Sequence, residues 1–350
     1  MKSRAALQTG HDSWLIVDEI EIPDPRPDQV IVRLHSTGVC HSQLHQMHDP
    51  DLPRPMTLGH EATGVVSRIG REVDHLKEGD SAIVTWVPRT PRRGRYNPGS
   101  SGATYREELL AHRLVYTWAE DVLVDADYVV RIADDDPKDV SCIVGCAVLT
   151  GAGAVMNTAR GRPGDSVAVF GVGGVGLSAV QMAAILEAHP IIAVDLDDEK
   201  LEFAREFGAT DLVNASDVDP VAAVVDMSGG GVDYAFDAIG VRATNEQILP
   251  STRGGGAGAD NQGGMAVLIG IPGPEMTLDP RMFVSHQRQF RGSLGATYPD
   301  RDFALFLRWH REGKFPLDRL VTRRYSLDQI NEACDALEAG EVLGRAIVEF

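Results

Sequence analysis

From Ser166 to Asp195 the chain reads SVAVFGVGGVGLSAVQMAAILEAHPIIAVD. A run of strand formers leads into glycines, then into a helical pattern over Leu177 to Ala188, then into a second apolar strand at Ile191–Val194. Two buried strands joined through one helix require a parallel pair with a crossover, which restricts the fold more than any other feature here. Gly171, Gly173 and Gly176 fit G-x-G-x-x-G in the context that gives this pattern meaning, after a strand and opening a helix. The first glycine makes the turn, the second lets backbone approach a pyrophosphate, and the third lets helix pack on sheet. The helix N-terminus then presents its N–H groups to the anion. Asp195 follows Gly176 by 19 residues at the end of the second strand. A carboxylate there accepts from ribose hydroxyls and repels a 2′-phosphate, so the pattern predicts NAD in preference to NADP.

The βα alternation continues with strands at Asp211–Val213, Tyr234–Asp237 and Ala266–Ile269 and a helix at Asp197–Phe207 closed by Gly208. Before about residue 147 the texture differs. Short strands at Gln29–Leu34, Thr63–Ile69 and Ser81–Trp86 are separated by Pro, Gly and Asp turn signals. After about residue 294 come two helical patterns, Asp302–Arg311 and Leu327–Ala339, and a strand at Arg345–Phe350. Pro88–Ala103 reads as an exposed loop, and the glycine-rich stretch Arg253–Met265 as a flexible insertion.

The formal charge of −18 over 350 residues repels phosphate backbones and anionic lipid, which argues against nucleic-acid and membrane partners. No apolar run is long enough to span a bilayer and no export signal is evident, so a cytoplasmic, reducing location is expected. Four cysteines, at 40, 142, 146 and 334, are too few for a disulfide scaffold. Each is therefore a buried apolar residue or a thiolate. Cys40 lies in GVCHSQLH, His60 in GHE and Cys146 in GCAVLTGAG. Two thiolates and an imidazole with a fourth position open make a catalytic zinc set. Spacing alone leaves the alternative of small core residues open.

The ordered series GVCHSQLH, GHEATGVV, GCAVLTGAG, VAVFGVGGVGLSAVQMA, AVDLDDEK, GVDYAFDAIG, VLIGIP and GEVLGRAIVEF resembles the zinc-dependent alcohol dehydrogenases of the medium-chain dehydrogenase/reductase superfamily over nearly the whole chain. The resemblance implies an α/β protein of two parts. One is a GroES-like, β-rich catalytic domain at 1–147 and 295–350. The other is a Rossmann cofactor domain with a doubly wound parallel sheet at 148–294. It implies Cys40, His60 and Cys146 as zinc ligands, with Glu61 behind the metal. Ser42 would bond the substrate oxygen and His45 would end the proton relay, through the cofactor ribose. His41 and Arg345 would contact the pyrophosphate. Gly171, Gly173, Gly174, Val175 and Gly176, Asp195, Lys200, Ile269 and Ile271 would hold the dinucleotide, and Trp86 would wall the substrate pocket. Cys142 and Cys334 match no ligand and read as core cysteines.

Two departures stand out. The family commonly carries four clustered cysteines for a structural zinc, and Pro88–Ala103 has none, so one zinc per chain is expected with that lobe held by packing. Gln43 stands where the family usually has an aspartate that orients the ligand histidine. The expected reaction is reversible, NAD-dependent oxidation of primary or small secondary alcohols to aldehydes or ketones. The alternatives are an enzyme with permanently held NAD or one acting on a thiol adduct. A homodimer or homotetramer is expected, with Ala266–Ile271 as the strand paired across it.

Overall fold

The computed structural model describes residues 1–11, 13–90 and 101–350. Most of the loop expected at Pro88–Ala103 lies outside the described residues. The chain forms two compact units, residues 1–146 with 298–350, and residues 147–297.

The first unit is built on two sheets. A five-stranded antiparallel sheet runs Met56–Thr57, Lys2–Gln8, Ile16–Glu21, Thr104–Tyr105, Glu108–Leu109. A seven-stranded sheet runs Val129–Arg131, Ser81–Val84, Ala62–Ile69, Gln29–Val39, Arg345–Glu349, Val321–Ser326, with Asp121–Asp125 also paired to Gln29–Val39. The strand expected at Gln29–Leu34 continues to Val39, since the small polar residues Ser36 and Thr37 are buried and bonded. Its far end pairs with the C-terminal strand, Ala346 opposite Val39 and Glu349 opposite Ser36. That pairing returns the last residues of the chain to the ones that precede Cys40. Val321–Ser326, not expected from its polar pattern, adds a parallel edge.

The second unit is a six-stranded parallel sheet in the order Asp211–Asn214, Ile191–Asp195, Val167–Phe170, Tyr234–Asp237, Met265–Leu268, Gln289–Gly292. In order along the chain this is 3-2-1-4-5-6, the doubly wound arrangement, with its switch point beside Val167–Phe170. That strand and Ile191–Val194 are buried throughout, as expected where helices cover both faces. Helix Asp198–Arg205 is capped by the Asp197 carboxylate, and helix Pro220–Met227 by Asp219 with proline in its first turn.

Two expectations are corrected. The helix placed at Leu177–Ala188 spans Gly174–Ile185, because the glycine motif supplies its first turn. Met265–Leu268 is flanked on both sides within the chain, so it cannot add a strand across a subunit boundary; the sheet's edge strands are Asp211–Asn214 and Gln289–Gly292. The glycine-rich stretch is anchored at its base: Gly264 N–H donates to Arg253 O, Gly263 N–H to Gln287 O, and Arg253 pairs with Asp233 at 2.6 Å.

Helix Pro299–Arg311 docks in the first unit through Phe306, fully buried between Trp309 and Phe315. Phe306→Ala removes a large apolar surface from a site with no exposure, and a loss of about 3–5 kcal/mol is expected in urea unfolding.

Candidate active site

Two lines of residues meet in the first unit. The strand Gln29–Val39 ends at Cys40, which starts helix His41–Met47. This helix begins with a capping interaction that no Ser, Thr, Asp or Asn announces: the Gln43 side chain reaches back, and its Oε1 accepts the Cys40 N–H at 2.9 Å. The second line is Gly59-His60-Glu61. Gly59 has φ +91°, and a Cβ there would run into Thr117 and Trp118. Cys146 follows the 3₁₀ turn Val140–Gly145, whose end is fixed by Thr85 Oγ1 donating to Gly145 O at 2.8 Å.

These elements bring one ligand atom each of Cys40, His60 and Cys146 within 4.8 Å of one another. Cys40 and Cys146 are buried and His60 half-buried. His60 faces the sulfurs through Nε2, 3.0 Å from Cys146 Sγ, while its Nδ1 is bonded by Gln43 Nε2. The thiols are not equivalent. The Cys146 thiol donates to Cys40, which with the Arg345 charge nearby holds Cys40 well below the usual thiol range, while that same bond and burial hold Cys146 well above it. Two sulfurs and an imidazole nitrogen, convergent and largely shielded, fit Zn²⁺ in number and chemistry.

Glu61 and Arg345 form a buried pair behind these groups. Arg345 Nε donates to Glu61 Oε1 at 2.9 Å and Nη2 adds a second, shorter bond. Gly38 is required beside them, since a Cβ there would meet the Glu61 carboxylate. Burial raises the Glu61 carboxyl above its usual range even with Arg345 beside it. Sequence reading takes Arg345 as a pyrophosphate contact. In the structure its Nε and Nη2 donate to Glu61, with the two cysteines adding to its charge stabilisation.

Ser42 and His45 lie on the short helix. Ser42 is half-buried and accepts from Gln43 Nε2 at 3.3 Å, which leaves its hydroxyl proton for another partner. His45 is exposed, its ring 5.5 Å from that of His41. Partial burial and the neighbouring His45 hold the His41 imidazole below its usual pKa. Trp86 is half-buried with its ring edge-on to His60 at 6.2 Å. Cys142 and Cys334 are buried among core side chains. In the lobe without cysteines, Ala103, Tyr105, Leu110 and Tyr116 are buried in the core, and His112 Nε2 accepts from Ser101 N–H at 3.0 Å.

In the second unit, Gly171 turns with φ +86°, and a Cβ at Gly176 would collide with Gly171 O. Gly173 is different. It is exposed, and a Cβ there would meet no protein atom within 4 Å, so packing does not demand glycine. Space kept open at the N-terminus of a helix fits a phosphate that must touch backbone. Gly174 opens that helix, and Val175 is half-buried in its first turn. Asp195 Oδ2 accepts the Val172 N–H at 2.9 Å, bracing the loop at the sheet's C-terminal end. Lys200 lies in the first turn of the helix that follows. Ile269 is tied to Asp237 O at 2.9 Å, and Ile271 is exposed. Asp237, absent from the expected set, is fully buried and shapes this region by accepting from Ile239, Gly240 and Asn245. Its signal in sequence is only an acid ending an apolar strand.

With the metal ligands assigned in this way, Cys146→Ser is expected to drop bound metal from about one zinc per chain to a small fraction, measured by elemental analysis after dialysis. Arg345→Met removes the cation paired with the buried Glu61 carboxylate and is expected to cost about 3–5 kcal/mol in urea unfolding, and the added change Glu61→Gln to recover part of it.

Residues 26–134 match the family described as alcohol dehydrogenase GroES-like domain, and residues 174–311 the one described as zinc-binding dehydrogenase. The chain is 32% identical to S-(hydroxymethyl)glutathione dehydrogenase of Escherichia coli O1:K1 / APEC over the full length of both. Among solved structures it is similar to an alcohol dehydrogenase zinc-binding domain protein from Burkholderia ambifaria, at TM-score 0.91 and 30% identity, covering 100% of this chain and 99% of that one. Benzyl alcohol dehydrogenase from Acinetobacter calcoaceticus follows at TM-score 0.90 and 27% identity, with the same coverage. With a GroES-like unit, a doubly wound parallel unit and the three convergent ligands, the chain belongs to the zinc-dependent alcohol dehydrogenases of the medium-chain dehydrogenase/reductase superfamily and is an oxidoreductase.

Proposed function

We propose that this protein catalyses the reversible, NAD-dependent oxidation of primary or small secondary alcohols to aldehydes or ketones. The observation that carries the reading is the convergence of Cys40, His60 and Cys146 beside Ser42 and Trp86. A zinc ion held by the three would supply Lewis acidity toward the substrate oxygen, and NAD would accept the hydride.

The chain's own residues do the rest. Ser42 can accept the substrate's hydroxyl proton while giving up its own, because a hydroxyl donates and accepts at once. His45, exposed one turn further along the same helix, can pass a proton to water. Trp86 limits width near His60, whereas Ser42, lacking a methyl group, leaves room nearest the reacting carbon. Gly171 to Gly176 would seat the pyrophosphate, Asp195 the ribose, and Val175, Ile269 and Ile271 the rings. We also propose a homo-oligomer using the edge strand Gln289–Gly292 and the exposed Val284 and Leu294 that flank it in sequence.

The expected outcome of a panel of alcohols is turnover of primary and small secondary ones with NAD, and poor turnover of one crowded beside the reacting carbon. Strong preference for the crowded substrate overturns the pocket assignment. Asp195→Asn keeps an acceptor for Val172 N–H and removes the charge. It is expected to narrow the NAD over NADP preference by about 10–100-fold in kcat/KM, the worth of a charge-assisted hydrogen bond. A second reading, a thiol-adduct substrate, is favoured by the full-length similarity to S-(hydroxymethyl)glutathione dehydrogenase. Turnover of formaldehyde that depends on added glutathione would select it.

A further inference from the structure

A metal-bound imidazole needs an acceptor behind it, and here it meets a donor. The geometry points to Gln43 as a positioning residue that holds His60 in the tautomer opposed to metal binding, so that zinc enters only as the Gln43 amide rearranges. This rests on Cys40, His60 and Cys146 as zinc ligands.

The argument starts from a backbone group. Cys40 N–H can only donate, and its acceptor is Gln43 Oε1 at 2.9 Å. The amide therefore turns its NH₂ toward His60 Nδ1 and toward Ser42 Oγ, the latter at 3.3 Å. His60 Nδ1 must offer its lone pair, which places the single proton of the neutral ring on Nε2. Nε2 is the atom that faces Cys146 Sγ at 3.0 Å, the one a metal shared with the sulfurs would take. Ligation through Nε2 moves the ring proton to Nδ1, where it confronts the amide NH₂. A half-turn of the amide cures that clash and creates another, because NH₂ then faces Cys40 N–H. Gln43 is 1% exposed, so solvent does not replace the lost bond. A carboxylate has two acceptor oxygens and satisfies both donors; an amide has one. The rearrangement also releases Ser42 Oγ, which couples metal uptake to the proposed relay hydroxyl.

Gln43→Glu keeps the length of the side chain and supplies the second acceptor. Zinc competition against a chromogenic chelator should show 10–100-fold tighter binding in this variant, the usual effect of a histidine's outer partner. Full-length protein labelled with ¹⁵N-histidine and stripped of metal gives an independent readout, with the His60 signals identified by their loss in His60→Gln. In the parent protein the expected metal-free state has Nε2 protonated and Nδ1 bare, and zinc reverses the two. The variant should carry the proton on Nδ1 already before zinc is added. A parent His60 protonated on Nδ1 without metal, or a variant that binds zinc no more tightly, overturns the proposal. If the variant does not fold, the parent spectra decide alone. If neither protein takes up zinc while Nε2–H is observed, the zinc reading falls and the hydrogen-bond assignment does not.

Discussion

Gathering five ionisable groups at one point of the fold, four of them buried, is tolerable only if each finds a partner, and the first unit is arranged around that condition. Cys40 and Cys146 share a proton, His60 leans on Cys146 and Gln43, and Glu61 is paired with Arg345. An unpaired ion at this depth costs several kcal/mol, so the positions of these side chains are mutually dependent. The pairing of the C-terminal strand with Gln29–Val39 is what makes it work, because it delivers Arg345 from the end of the chain to Glu61. Chain ends that look peripheral in sequence are thus part of the centre's electrostatics.

The second unit solves a different problem. Its glycine loop holds two glycines that the protein's own packing demands, at 171 and 176, and one that it does not, at 173. Self-packing explains the first two, and open space beside a helix N-terminus explains the third only if a ligand approaches there. Asp195, read as a ribose partner, also braces the loop through Val172. One carboxylate can do both, since each oxygen accepts more than one bond.

Much of this was legible in the primary structure. The βαβ rhythm and the glycine spacing point to a doubly wound sheet, because period and turn chemistry are local properties. The strands at Val167–Phe170, Ile191–Asp195 and Tyr234–Asp237 fall within a residue or two of their expected places. Helix ends were less readable. Gly174–Ile185 starts inside the glycine motif, where intrinsic propensity speaks against a helix and the crossover geometry overrides it. Helix His41–Met47 begins at a cysteine, and its cap depends on a glutamine three residues on whose reach shows only in three dimensions.

The sequence by itself determined which chemistry the chain can carry: the thiols, the imidazole, the glycine loop and the acid at a strand end are residue types at set spacings. Tertiary structure decided what those groups face. It turned Arg345 inward to Glu61, took Met265–Leu268 out of contention as an exposed edge, and set the amide of Gln43 against His60 with its donor foremost. Hydrogen-bond polarity at a buried contact depends on what else the group must satisfy, here the backbone of Cys40. No local pattern encodes that, because the partners come from separate stretches of chain and are matched only when the sheet closes.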